Sequence, residues 1–401
     1  MDTLISKVMK TKISKIAAFI ALAMVVTNTA CTKKNNVEPT PESDELKGRL
    51  TEDLRLKGGK TYRLTGSLQV VAPATLTIEP GVTIEAADNG EINYILIEQG
   101  AKIDAQGTKD APIVMTSQLK ETGAWGGLHI CGKAHSNKSS KGGSLVSEIG
   151  NAPYGGDVEN DNSGILRYLR LEYTGYKLDA EHEANGLSLY GVGNGTTISY
   201  VQCYKGSDDG IEFFGGSVNV DHCIVVDCTD DSFDWTEGWN GRGEYLVAYQ
   251  SDPTCDCLME CDNNGDDFNA EPVAHPTLKY VTLVGNNSSE NKRGIRLRAG
   301  TQVTLENALI TGKPAGISAE TTQTLNALKN GTSVLKNIYL STVFSEKVEE
   351  GSESIYSSLD FLSDGTNKEG VTITLHDRFV GMMDGNGAIN SSDDWSKGWT
   401  R

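Results

Sequence analysis

Two acidic turns lie 22 residues apart in this chain, Asp208-Asp209-Gly210-Ile211-Glu212 and Asp230-Asp231-Ser232-Phe233-Asp234. Each sets a pair of aspartates three residues ahead of another carboxylate. Such groups support three kinds of chemistry. Clustered carboxylates bind a hard cation such as Ca²⁺, which takes 6–8 oxygen ligands. Two close carboxylates can share a proton and act as acid and base, as glycoside hydrolysis requires. Short Asp and Asn side chains also simply cap turns by bonding the backbone.

Asn185-Gly186-Leu187-Ser188 and Arg293-Gly294-Ile295-Arg296 have the same shape, and Asp266-Asp267-Phe268-Asn269 fits between with one residue fewer. Stacked, these segments place Asn185, Asp209, Asp231, Asp267 and Arg293 in one column. Ser188, Glu212, Asp234, Asn269 and Arg296 form a second, with Leu187, Ile211, Phe233 and Ile295 facing inward. Carboxylates about 5 Å apart repel by about 1 kcal/mol even in water, so something must compensate. Asp208, Asp209, Asp230, Asp231 and Asp267 are the candidate Ca²⁺ ligands. Arg293, Arg296 and Arg298 are the alternative source of positive charge. If the face is catalytic, the work falls to Asp209, Asp231, Asp234 and Arg296. If it binds a ligand, Glu212, Asp234, Arg296 and Arg298 supply polar contacts. Trp235 and Trp239, bracketing Thr236-Glu237-Gly238, then offer rings on which sugars stack, while Phe213 and Phe214 pack a turn.

Something regular must position these residues, and the sequence repeats. Thr75–Glu85 aligns with Tyr94–Asp104 at an offset of 19, each alternating apolar and polar residues around a glycine. A second register runs through Leu166-Arg167-Tyr168-Leu169, Ile198-Ser199-Tyr200-Val201, Val220-Asp221-His222-Cys223, Leu278-Lys279-Tyr280-Val281, Leu305-Glu306-Asn307-Ala308 and Leu335-Lys336-Asn337-Ile338. A 22-residue unit of two or three short strands cannot close its own core. Stacked units can, each strand pairing with its equivalent roughly 4.8 Å away. The expectation is an all-β, right-handed parallel β-helix over residues 51–401, with two long loop excursions near 133–163 and 252–276. Glycine at 44 of 401 residues suits this architecture better than a helical bundle.

Gly126-Gly127-Leu128-His129-Ile130-Cys131-Gly132, Gly150-Asn151-Ala152-Pro153-Tyr154-Gly155-Gly156 and Asp230–Trp235 resemble segments of Bacteroidetes lipoproteins with a pectin-lyase-like β-helix. The resemblance implies fold and location, and no particular chemistry. Ser207–Ile211 is similar to the acidic motif of polygalacturonases, and carboxylates near arginine are similar to those of pectate lyases. The Asn-Thr-Asp and Gly-His-Gly motifs of the former are absent.

Residues 1–30 read as an address. Lys7, Lys10, Lys12 and Lys15 precede an eleven-residue apolar run, Ile16–Val26. That is too short to span a bilayer and suits a signal peptide. The run leads to Thr29-Ala30-Cys31, which resembles a lipobox, although Asn28 stands where Leu or Val is usual. Cys31 is then the lipid anchor, 31–50 a polar tether, and the outer membrane of the cell envelope the expected location, on a face left open. The net charge of −18 disfavours nucleic acid as a partner. Polysaccharides or other envelope proteins remain as partners. Cys203 and Cys223 fall on inward positions; among Cys255, Cys257 and Cys261 one disulfide is an option outside the cytoplasm. No nucleophile triad, phosphate loop or cofactor fingerprint is present. Three functions follow: a glycan- or ligand-binding envelope protein, a polysaccharide lyase or hydrolase on the same face, or a structural or adhesion stalk.

Overall fold

The computed structural model describes residues 43–138, 145–177, 183–348 and 350–401. The leader, Cys31 and most of the tether lie outside them. Among the described residues, 24 strands form one continuous parallel array coiled into a right-handed β-helix, as the repeats require, and Gly381–Met383 pairs with Asn386–Ile389 in a separate antiparallel hairpin. Its three faces are visible in the pairing. One stacks Leu54–Leu56, Thr75–Ile78 and Lys102–Gln106 and continues through the first halves of Gly164–Glu172 and Thr197–Tyr204. The second takes the latter halves of those long strands. The third runs Ile95–Ile97, Leu128–Cys131, Leu187–Tyr190, Ile211–Phe214, Phe233–Thr236, Met259–Cys261, Arg293–Leu297, Ala315–Glu320 and Val343–Lys347. This third face carries the acidic turns.

Two boundaries differ from expectation. Glu45–Leu50 is already a strand, paired with Thr61–Val70, so the last residues assigned to the tether belong to the coil. The 252–276 excursion is interrupted by Met259–Cys261, which takes a place in the third face.

Long strands turn from the first face to the second at one residue, and that residue repeats. Tyr168, Tyr200, His222, Tyr245, Tyr280, Asn307 and Asn337 all adopt φ between 47° and 61°. The left-handed region costs a residue with a side chain about 1–2 kcal/mol. Stacking offsets that cost: successive rings from Tyr168 to Tyr280 lie 4.4, 4.4, 4.6 and 5.1 Å apart. Asn337 Nδ2 donates to Asn307 Oδ1 at 2.9 Å where the aromatics end. His222 is thus structural, as its place in the repeat implies. The C-terminal segment lies along this corner, with Trp399 edge-on to Tyr168 and Trp395 edge-on to His222. Inside, a single apolar column runs from Leu46 to Phe361, and α1 (Thr322–Lys329) and α2 (Ser358–Leu362) lie at its C-terminal end.

Candidate acidic site on the third face

Alternation along each third-face strand decides which side chains point out. Leu187, Ile211, Phe233, Met259 and Ile295 are at most 2% exposed and fill the core. The residues after them form an outer column of His129, Ser188, Glu212, Asp234, Glu260 and Arg296. Glycine brings the coils close just ahead of it. A Cβ on Gly186 would sit 2.5 Å from the carbonyl of Gly210, and one on Gly210 2.5 Å from that of Ser232.

Four of the five expected members of this column are in it. Asn269 is not: Glu260 holds its rung, and Cys257 holds the rung given to Asp267. Asp267 and Asn269 lie in the loop beyond, where Asp267 Oδ1 accepts the Asn269 N–H at 3.2 Å and Asn264 Oδ1 accepts that of Asp267. Asp267 is thereby removed from the cation set. The missed signal is Met259-Glu260-Cys261, which repeats the apolar–acidic–apolar pattern of Ile211-Glu212-Phe213 and Phe233-Asp234-Trp235.

The remaining carboxylates converge. Ligand oxygens of Asp208, Asp209 and Asp230 lie within 4.8 Å of one another, as do those of Asp209, Glu212 and Asp234, and those of Asp231, Asp234 and Glu260. Burial, then Asp230, pushes the Asp208 carboxyl up to about 7. Burial and neighbouring carboxylates hold Asp209, Glu212, Asp231 and Asp234 well above the ordinary carboxylate range. Turn chemistry is also present: Asp209 Oδ1 accepts the Asp231 N–H at 2.9 Å, and Asp231 Oδ1 accepts that of Cys257 at 2.6 Å.

The arginines compensate one end only. Arg296 pairs with Glu260 at 2.8 Å and Glu320 at 3.3 Å. Arg298 pairs with Asp262 at 2.7 Å and also with Glu260, and Arg293 with Glu320 at 3.3 Å. These contacts occupy both guanidinium groups offered as ligand contacts and the one offered for catalysis.

Trp235 and Trp239 are not sugar platforms. Each is 1% exposed. Trp235 shares the inward parity of Phe233 and donates to Thr301 Oγ1 at 3.0 Å. Trp239 donates to the Val218 carbonyl at 3.1 Å and stacks on Phe213 at 3.9 Å. Phe213 and Phe214 are buried, as expected. Cys255, Cys257 and Cys261 are buried free thiols, so the disulfide is not made; Cys203 and Cys223 are buried as expected.

The first excursion packs beside the face. Ile149, Ala152 and Tyr154 join Tyr94, Tyr190 and Phe214 in a second apolar cluster outside the coil. Glu237, 5% exposed, anchors the loop by accepting from Ser136 Oγ and Tyr154 Oη at 2.7 Å and from Lys138 Nζ at 3.0 Å. At the other end, Glu320 also lines a groove of about 420 Å³ with Phe268, Thr321, Gln323 and Lys347. Phe268 is 37% exposed there.

Residues 48–400 match the family model described as the pectate-lyase-like β-helix domain. No curated protein and no solved structure matches the chain.

Proposed function

We propose that this chain, which belongs to the pectate-lyase-like β-helix family, binds a polysaccharide at the cell envelope without cleaving it. One observation carries the reading. The charged third-face row ends in a groove of about 420 Å³ where Phe268 exposes a ring beside Gln323 and Lys347. An exposed ring with flanking polar groups suits a sugar, whose apolar face stacks while its hydroxyls find hydrogen-bond partners. Binding is favoured over lyase or hydrolase chemistry because Arg296 and Arg298 are held in ion pairs and Asp209 and Asp231 bond the next coil's backbone.

Incubating the mature protein with a panel of acidic and neutral polysaccharides should show retention of at least one, with no new reducing ends and no unsaturated products. Phe268→Ala should weaken that binding about tenfold, the loss of roughly 1.4 kcal/mol of stacking. Release of cleaved products would overturn the non-catalytic reading. Unchanged affinity in Phe268→Ala would remove the groove from it.

Lipidation of Cys31 is the proposed means of attachment, resting on the eleven-residue apolar run that ends just before it. Cells fed a palmitate analogue should label the wild-type protein and not Cys31→Ser. Equal labelling of both refutes the anchor.

A further inference from the structure

The middle of the acidic row is more deeply buried than a ligand-facing surface requires. Asp209, Glu212 and Asp234 come from two successive coils, with oxygens within 4.8 Å of one another. Asn185, on the coil before them, is 1% exposed. Its Nδ2 donates to Glu212 Oε2 at 2.5 Å and to Ser188 Oγ at 3.2 Å, which fixes the amide against the carboxylates. Among the described residues its buried Oδ1 has no hydrogen-bond partner, and neither does Asp234 Oδ1. Burying a carbonyl oxygen or a carboxylate oxygen unpartnered is costly, of order 1–3 kcal/mol each. Two such oxygens in one cluster mark a missing positive partner. The arginines do not supply it, since Arg296 and Arg298 bond Glu260, Asp262 and Glu320.

We propose that Asn185, Asp209, Glu212 and Asp234 hold a divalent hard cation that stitches three successive coils together. The donor set is oxygen only, three carboxylates and an amide carbonyl, which selects Ca²⁺ over the nitrogen- and sulfur-seeking metals. The spacing agrees: at roughly 2.3–2.6 Å per Ca–O bond, a coordination sphere is about 5 Å across. Because the ligands come from different coils, the unfolded chain has no equivalent site, so the cation adds directly to native stability. The site is internal and structural. It is separate from the groove at Phe268 and stands whether or not a polysaccharide binds there.

The test uses mature protein freed of metal by dialysis against a chelator. Calcium chloride at millimolar concentration should raise the melting temperature by several degrees, with a smaller rise from magnesium chloride, and calorimetry should show saturable calcium binding. Glu212→Gln should lose the calcium response while melting no lower than wild type in chelator, because it removes one of the repelling groups. Asp267→Asn, outside the cluster, should keep the full response. If Glu212→Gln does not fold, Asp234→Asn is judged by the same criteria. Identical wild-type melting in chelator and in calcium overturns the proposal, as does a Glu212→Gln protein that still responds. Polysaccharide retention in chelator is a separate readout, so loss of the cation site and loss of the binding function are told apart.

Discussion

Replacing Lys313 by Met should lower the stability of the folded chain by about 3 kcal/mol, far more than a surface lysine contributes. Lys313 is 1% exposed. Its ammonium donates to the carbonyls of Asp256 at 2.7 Å, Asn291 at 3.1 Å and Cys255 at 3.3 Å. Two of these carbonyls belong to the segment leading into Met259–Cys261 and the third to the loop before Arg293–Leu297. One cation therefore fastens two connections on which the acidic face depends. Methionine matches the length of the stem but leaves the Asp256 and Asn291 carbonyls without a donor, while Asn286 Nδ2 at 3.0 Å still serves that of Cys255. Burial pushes the Lys313 pKa down, so the ammonium carries a desolvation penalty that its contacts must offset. Denaturant melting measures the loss, and hydrogen exchange should speed up first at residues 252–258. A variant within about 0.5 kcal/mol of wild type would mean that water replaces the ammonium at no cost, and that Lys313 is not a fastener.

What the sequence disclosed depended on how local the signal was. Inward positions such as Leu187, Ile211 and Phe233 follow from period-two alternation, and the coil follows from their recurrence. The same alternation places Trp235 inside, two residues beyond Phe233, so its burial was legible from parity. The expectation of an exposed ring weighed its chemistry above its phase. Glu260 was hidden for the opposite reason. Its strand is three residues long and lies among Cys255, Asp256 and Asn263, with no glycine to mark the turn. The segment resembles a loop until its neighbours on either coil are known. The orphaned Asn185 oxygen and the anchoring role of Glu237 belong to the folded chain alone: the first shows only once the amide is set against Glu212 on the next coil, and the second joins residues a whole excursion apart. The Tyr, His and Asn residues at the repeated corner were visible as a column, but the tyrosines that dominate it do not announce a left-handed backbone, as Asn and His do.

In chelator, stability should rise as the pH is lowered from about 8 to about 5, the reverse of ordinary acid sensitivity. Asp209, Glu212, Asp231 and Asp234 have folded-state pKa values well above the carboxylate range, raised first by burial, and Asp208 is raised to about 7. For an acid whose folded pKa exceeds its unfolded value, the folded state binds the proton more tightly. Its contribution is complete below the unfolded pKa of about 4 and is lost as pH climbs through the folded pKa. The slope can reach about 1.4 kcal/mol per pH unit for each proton released. Carboxylates of the opposite kind act lower on the scale: Asp360, held at about 2 chiefly by Lys329, weakens the fold only when it protonates. The chelated protein should therefore be most stable between about pH 4 and 6. Calcium competes with these protons for the same oxygens, so its stabilising effect should grow with pH and flatten the curve. Asp208→Asn should remove part of the slope near pH 7. Melting temperatures across this range, with chelator and with calcium, decide the matter. A chelated protein that gains stability from pH 5 to 7 would show that the row is already ionised and compensated, and would leave the cation without work to do.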